Sequence, residues 1–303
     1  MSERPSQAEV GLAPARPGFY AGQVATLATM HGKEAAVAPP FCELLDVAVR
    51  VPDGINTDAL GTFTGEIQRP GDMLETARLK AKAGIELTGA ALALASEGAY
   101  GPHPWLPSLA TGVELLLWVD TAIGIEVCEQ VPVRQTAYGT LTIRPGDSLD
   151  AFLERVDFPR HALAVMPGTP APGTTLLPAK GLRERAALER AIRTAAAGSE
   201  DGQAVVQTDM RAHVNPTRME SIAALARRLA TRLISHCEVC DAPGFGIVGQ
   251  QSGLPCAVCD TPTALAKADI HGCARCDHRT TLPRARGDRQ GTADPRYCDN
   301  CNP

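Results

Sequence analysis

Aromatic side chains are scarce in this 303-residue chain, with two Trp, four Tyr and six Phe, fewer than most globular proteins carry. No apolar run approaches the length of about 18 residues that a membrane-spanning helix needs. The opening residues, MSERPSQAEVGLAPARPG, hold neither a signal-peptide core nor a lipidation motif. Cytoplasmic residence and no membrane partner are the expectations. A surplus of positive charge is missing too: the net charge of −5 argues against a protein built mainly to grip nucleic acid. The basic stretch from Lys267 to Arg296 is nearly balanced by aspartates between Asp269 and Asp299, and no set of aromatic rings for stacking bases accompanies it. Cysteine is almost absent from the first 236 residues, where only Cys42 and Cys128 occur, both in apolar settings that suit buried filling rather than nucleophilic chemistry.

What is present falls into three parts. Residues 1–19 are polar and rich in Pro and Gly and read as a mobile tail. Residues 20–235 alternate apolar strand-like segments with amphipathic helix-like ones, which predicts an α/β domain with a mixed central sheet flanked by helices. The strands expected are 23–28, 47–51, 90–95, 113–119, 123–133, 141–143, 162–165 and 204–207. The helices expected are 34–45, with a bend or restart at Pro39-Pro40, and 73–88, 148–156, 182–197 and 217–235. The long polar connection 52–72, with Thr62, Thr64, Glu66 and Arg69, suits a lid over a substrate.

Residues 236–303 carry the most specific signal. Cys237/Cys240, Cys256/Cys259, Cys273/Cys276 and Cys298/Cys301 are four Cys-x-x-Cys pairs separated by 15, 13 and 21 residues. In a reducing compartment such pairs indicate metal rather than disulfides. Two thiolates three positions apart face one ion, and a tetrahedral zinc takes two such turns. Eight ligands make two closed, structural zinc sites. Consecutive pairing gives two zinc ribbons in series; interleaved pairing is the alternative, since spacing does not fix connectivity.

The stretch DMLETARLKAKAGIELTGAALALASEGAYGPHP, residues 72–104, reads as a capped helix stopped at Gly89, a buried strand, and a Gly-flanked loop presenting Glu97. Open α/β sheets place ligands at such strand ends. Glu75, Arg78 and Lys82 share one helix face, whereas Lys80 points elsewhere, as an exposed lysine. Glu75-Thr76-Ala77-Arg78-Leu79-Lys80-Ala81 followed by Ala93-Leu94-Ala95-Ser96-Glu97-Gly98 resembles the core of the inosine-triphosphate-pyrophosphatase-like superfamily. Leu27-Ala28-Thr29-Met30-His31-Gly32-Lys33 is similar to that family's first strand and loop. The resemblance covers residues 22–104. It implies a Mg²⁺-dependent hydrolase of a nucleotide or related phosphoanhydride, with Glu75 and Glu97 on the metal and Lys33, Arg78 and Lys82 on phosphates. The whole chain also resembles a bacterial family that joins such a domain to cysteine knuckles, which implies an architecture and no activity.

A second constellation follows the strand at 204–207: Asp209, Arg211, His213 and Arg218, with Asn215-Pro216 opening a helix. Asp209 can supply a third metal carboxylate and Arg211 or Arg218 a phosphate contact. Each group has a plainer role beside the functional one. Asp72-x-x-Glu75 fits a capping box, Asp209 can pair with Arg211 or Arg218 to hold its loop, and Arg78 and Lys82 can be a solvated face. His31 reads as a hydrogen-bonding loop residue. The rival to the hydrolase is a non-catalytic nucleotide-sensing protein, or one whose ribbons bind protein or nucleic acid or form a homodimer. Thr76 in place of the family's Asn, and a single Glu97 in place of its acidic pair, favour that rival.

Overall fold

The structure is a computed structural model that describes residues 18–303 except 63, 65, 104, 107, 108, 134, 135, 173–175 and 285–290. The tail expected over residues 1–19 falls almost entirely outside the described residues. The chain divides into two compact units, Gly22–Leu229 and a second that contains residues 18–21 and Ala230–Pro303.

In the larger unit, five strands form one mixed sheet in the order β2-β1-β3-β4-β5. They are β1 (Val24–Ala28), β2 (Ala48–Arg50), β3 (Leu92–Pro102), β4 (Ala110–Asp120) and β5 (Ile125–Val133). β2, β1 and β3 run parallel, and β3, β4 and β5 are joined antiparallel. The parallel part uses two helices as crossovers, α1 (Glu34–Leu45) and α2 (Met73–Thr88). Ala77 and Ala81 of α2 lie against Ala93, Ala95, Leu115 and Leu117 on one face of the sheet. Trp118, the next residue on β4, stacks on Phe41 of α1 with ring centroids 5.5 Å apart. Cover on both faces explains why Leu115–Trp118 is an uninterrupted apolar run instead of an alternating one.

α1 is continuous through Pro39 and Pro40, so no restart divides it there. The two missing N–H donors forfeit helix bonds, and the buried face of Val37, Pro40 and Phe41 holds the helix together. α2 begins with a capping box: the Glu75 N–H donates to Asp72 Oδ1 (2.8 Å) and the Asp72 N–H to Glu75 Oε2 (2.9 Å). It ends at Gly89, whose φ of 69° is the left-handed conformation that glycine adopts without a Cβ penalty.

One central sheet is not what forms. A second, wholly antiparallel sheet has the order β6-β9-β7-β8, from β6 (Thr140–Ile143), β7 (Leu163–Pro167), β8 (Ala179–Leu182) and β9 (Ala204–Thr208). Helices α3 (Asp150–Arg155) and α4 (Arg185–Ala197) supply Phe152, Leu153, Leu188 and Ile192 to a core shared with Leu163, Val165 and Val206. Helix α5 (Pro216–Ile234) follows, and the division between the units falls within it. The second correction concerns Ser96-Glu97-Gly98, which is not a loop. β3 continues to Pro102 because β4 pairs with it along its whole length, from Leu92↔Asp120 to Pro102↔Ala110.

The smaller unit holds a three-stranded antiparallel sheet, β10 (Gly246–Ser252), β11 (Ala266–Gly272) and β12 (Arg279–Pro283), surrounded by the cysteine turns. No helix among the described residues is long and apolar enough to cross a membrane.

Candidate functional site

The carboxyl end of β1, the middle of β3 and the segment after β9 meet in one cleft of the larger unit. It is lined by six Lys or Arg side chains, Lys33, Arg69, Lys80, Lys180, Arg211 and Arg218, and by three carboxylates, Asp58, Glu97 and Asp209. Five residues singled out from the sequence therefore come together: Lys33, Glu97, Asp209, Arg211 and Arg218. Glu75, Arg78 and Lys82 do not join them. Glu75 is engaged in the cap of α2. Arg78 pairs with Glu126 at 2.7 Å and Lys82 with Glu86 at 3.7 Å, all exposed. Replacing Asp72 with Ala should cost about 0.5–2 kcal/mol of stability, the usual range for a lost helix cap. Denaturant unfolding checks this, with ligand binding by the cleft expected to stay unchanged.

One cleft residue that escaped the sequence reading is Lys80. Lys80 is buried rather than exposed, because the inward stripe of α2 is Thr76, Ala77, Lys80, Ala81 and Gly84. The i, i+1, i+4, i+5, i+8 spacing that carries this stripe was present in the sequence. Its ammonium pairs with Glu97, which is 4% exposed, and Arg69 reaches the same carboxylate at 3.3 Å while donating to the Gly98 carbonyl. Arg69 comes from the long connection before α2 that the sequence offered as a lid, and Thr62 and Thr64 of the same connection line the cleft with it.

Asp209 is similarly engaged. Its carboxylate accepts from the Gly181 N–H (3.0 Å), the Arg211 N–H (3.1 Å), and Arg211 Nε and Nη2 (3.0 and 2.7 Å). That pairing raises the Arg211 pKa further above its usual value. Nη1 of Arg211 and Nη1 of Arg69 have no partner among the described residues. The acids thus hold two guanidinium forks in place and leave donor edges unused.

Lys33 lies at the start of α1 and is 7% exposed. Its Nζ donates to the Ser96 carbonyl (2.9 Å) and Oγ (3.3 Å). Burial first, then the nearby Arg218 charge, lower its pKa to about 7. His31 Nε2 is 3.0 Å from Asp58 Oδ1, and its ring stacks on His213 at 5.3 Å. Burial keeps both imidazoles below their usual pKa. At the cleft edge Lys180 pairs with Glu66 (2.7 Å). Beneath it, Arg218 and Glu114 form a fully buried ion pair (2.6 Å), to which Tyr100 adds a hydroxyl hydrogen bond of 2.6 Å. Gly98 makes this possible, because a Cβ there would come within 2.5 Å of Arg218 Nη2 and 2.8 Å of Glu114 Oε1.

Magnesium does not fit the proposed donors as they stand. Glu75 lies outside the cleft, both oxygens of Glu97 face cations, and Asp209 is filled by four N–H contacts. The only groupings of three or more metal-type ligands among the described residues are in the smaller unit.

Those groupings are Cys237, Cys240, Cys273 and Cys276, and Cys256, Cys259, Cys298 and Cys301. The grouping is interleaved, first pair with third and second with fourth, which is one of the two arrangements that the spacing left open. Sulfur separations of 3.5 Å (Cys240–Cys273), 3.6 Å (Cys259–Cys298) and 3.8 Å (Cys237–Cys276) are close to the roughly 3.8 Å edge of a tetrahedron with Zn–S bonds of about 2.3 Å. Both clusters are compatible with a zinc ion. The first two turns repeat one motif, Cys-x-Val-Cys-Asp-x-Pro, with Asp241 and Asp260 both left-handed (φ 59° and 57°). In each, the first cysteine N–H bonds the carbonyl five residues on, Ala242 (2.9 Å) or Thr261 (3.0 Å). Cys42 is exposed, contrary to its reading as buried filling, whereas Cys128 is half-buried and packs against the core between α2 and the five-stranded sheet.

The chain is thus a mixed α/β protein with a cation-lined cleft and a module of two tetracysteine clusters. Residues 80–303 match the family described as a domain of unknown function, DUF6671, and the chain belongs to that family. The match begins inside α2 and carries no pyrophosphatase description, so the resemblance read from residues 22–104 finds no support there. No curated protein matches the chain.

Proposed function

We propose that the larger unit binds a small phosphorylated ligand, a nucleotide or related phosphoanhydride, through fixed cations instead of a magnesium clamp. The observation that carries this reading is the pair of guanidinium forks, Arg69 on Glu97 and Arg211 on Asp209, held in one cleft beside Lys33 and Lys80. Arginine forks pre-oriented by carboxylates suit bidentate recognition of phosphate, and a held fork loses less entropy on binding. Arg218 belongs to the floor, since its charge is answered by Glu114. The two tetracysteine clusters are closed sites and act as scaffold.

A hydrolytic version has one observation of its own. The His31–Asp58 pair stands on the cleft wall, and a carboxylate that orients an imidazole equips it to take a proton from water. Calorimetry with pyrophosphate, nucleoside diphosphates and nucleoside triphosphates tests binding. Arg211→Ala should weaken it roughly 10- to 150-fold, from the 1.5–3 kcal/mol of a charged hydrogen bond. Phosphate or pyrophosphate release from the same panel, with and without Mg²⁺ and compared with His31→Ala, separates enzyme from sensor. No heat with any of these ligands at low salt would end the reading.

A further inference from the structure

We propose that Lys33 is a carbonyl-condensing amine, and that the cleft takes phosphorylated ligands bearing an aldehyde or ketone, to which Nζ adds to form an imine. The proposal rests on the cleft being a phosphate site and adds covalent chemistry to it.

Lys33 is unlike the other cations of the cleft. Lys80, Arg69 and Arg211 each face a carboxylate directly, whereas the Lys33 Nζ has the Ser96 carbonyl and hydroxyl as its hydrogen-bond partners. It is enclosed to 7% exposure yet still lines the cleft. Burial acts first against its charge, the Arg218 and Lys80 charges oppose it as well, and Glu114 and Glu97 offset only part of this. A lysine that is desolvated and set beside other cations is the usual way to obtain a neutral, nucleophilic amine near neutral pH. A neutral amine has two N–H bonds. With both directed at Ser96, the nitrogen lone pair is the one tetrahedral position left over, and it is available to a carbonyl carbon.

The step balances without any redox partner. The lone pair forms the C–N bond as the carbonyl π bond breaks, and a proton moves from nitrogen to oxygen to give a carbinolamine. The hydroxyl then leaves with a second proton as water, and the C=N bond remains. His31 lies close enough to Lys33 for the two charges to oppose one another. With its ring held by Asp58, it is placed to carry those protons. The phosphate forks Arg69 and Arg211 would anchor the other end of the ligand.

Five lysines make the test clean: Lys33, Lys80, Lys82, Lys180 and Lys267. The full-length protein is treated at pH 7 with pyridoxal 5′-phosphate as a phosphorylated aldehyde probe, then with borohydride, which supplies the hydride that fixes an imine as a secondary amine. Adduct positions are read by peptide mass spectrometry. Calorimetry measures pyrophosphate binding in parallel. The expected result is one adduct per chain on Lys33, formed roughly 100-fold faster than on Nα-acetyl-lysine because a depressed pKa leaves far more free amine. Excess pyrophosphate should suppress it. Lys33→Arg should abolish the adduct, whereas Lys267→Arg, outside the cleft lining, should keep both the adduct and pyrophosphate binding. Lys33→Gln serves if the arginine does not fold. Adducts only on Lys82 or Lys267, or on Lys80 or Lys180 in place of Lys33, would overturn the proposal. Pyrophosphate binding with Lys33 unmodified would overturn it too and leave the phosphate site standing. Neither binding nor protection by pyrophosphate would remove the phosphate site itself and the proposal with it.

Discussion

Replacing Glu114 with alanine is expected to lower the unfolding midpoint of the chain by about 10 °C, from the 3–5 kcal/mol cost of breaking a buried ion pair and roughly 2–4 °C per kcal/mol in a domain this size. The magnitude follows from complete enclosure. Both side chains of the Arg218–Glu114 pair are 0% exposed, so the guanidinium left behind could not turn to water. Burial alone works against the Arg218 charge, and Glu114 more than offsets it, so that its pKa stays raised. After the substitution the guanidinium would keep the Met210 carbonyl and the Tyr100 hydroxyl as neutral partners but would lose its countercharge. Removing both charges together, as Glu114→Leu with Arg218→Met, should cost much less, because an apolar pair of similar volume needs no desolvation. A double-mutant cycle followed by calorimetry measures the difference. An alanine variant within about 1 kcal/mol of wild type would mean that water reaches this pair. Arg227→Ala is the control: its partner Glu43 is exposed at 2.5 Å, and no measurable shift is expected from breaking that pair.

The pair also shows where sequence patterning stops. Its members are 104 positions apart, and nothing local joins Glu114, in the middle of an apolar strand, to an arginine in the first turn of α5. Short-range features were readable because short-range physics makes them. The Asp72–Glu75 cap, the Gly89 stop and the β4–β5 hairpin, whose turn is tied by Asp120 accepting from the Ala122 and Ile123 N–H groups, all involve neighbours. Glu97 was found as a residue but misplaced in structure. Ser-Glu-Gly reads as the end of a strand, and only the pairing of β4 along the whole of β3 keeps it extended. Five of the eight α/β residues singled out for phosphate chemistry do reach the cleft, yet through ion pairs with Lys80 and Arg69 that alter the part played by Glu97. A carboxylate holding two cations is a positioning group, whereas the sequence suggested a metal ligand.

Serine at Cys256, Cys259, Cys298 and Cys301 together is expected to leave one zinc bound per chain, because the interleaved arrangement keeps Cys237, Cys240, Cys273 and Cys276 whole. Serial pairing would leave half of each site and no zinc at all, so metal content by mass spectrometry under native conditions decides between them. The same chain with serine at Cys256, Cys259, Cys273 and Cys276 should hold none, since each cluster then keeps a single pair. Stability should fall in both, since a structural four-thiolate zinc is worth about 10–16 kcal/mol of apparent binding energy, most of it realised as folding. Interleaving makes that loss spread. The turn Cys256–Cys259 lies between the two halves of the first site, so the loop from Cys240 to Cys273 that carries β10 and β11 would be closed by one ion and anchored midway by the other. Chelation of the wild-type protein should therefore release both ions in one cooperative unfolding of the cysteine module. Two well-separated release steps with half of the β-structure retained would show that the clusters fold independently. The sequence already carried a hint of this in Cys-x-Val-Cys-Asp-x-Pro at 237–243 and 256–262. Two equivalent turns start two equivalent sites, and each then waits for its partner pair from further along the chain.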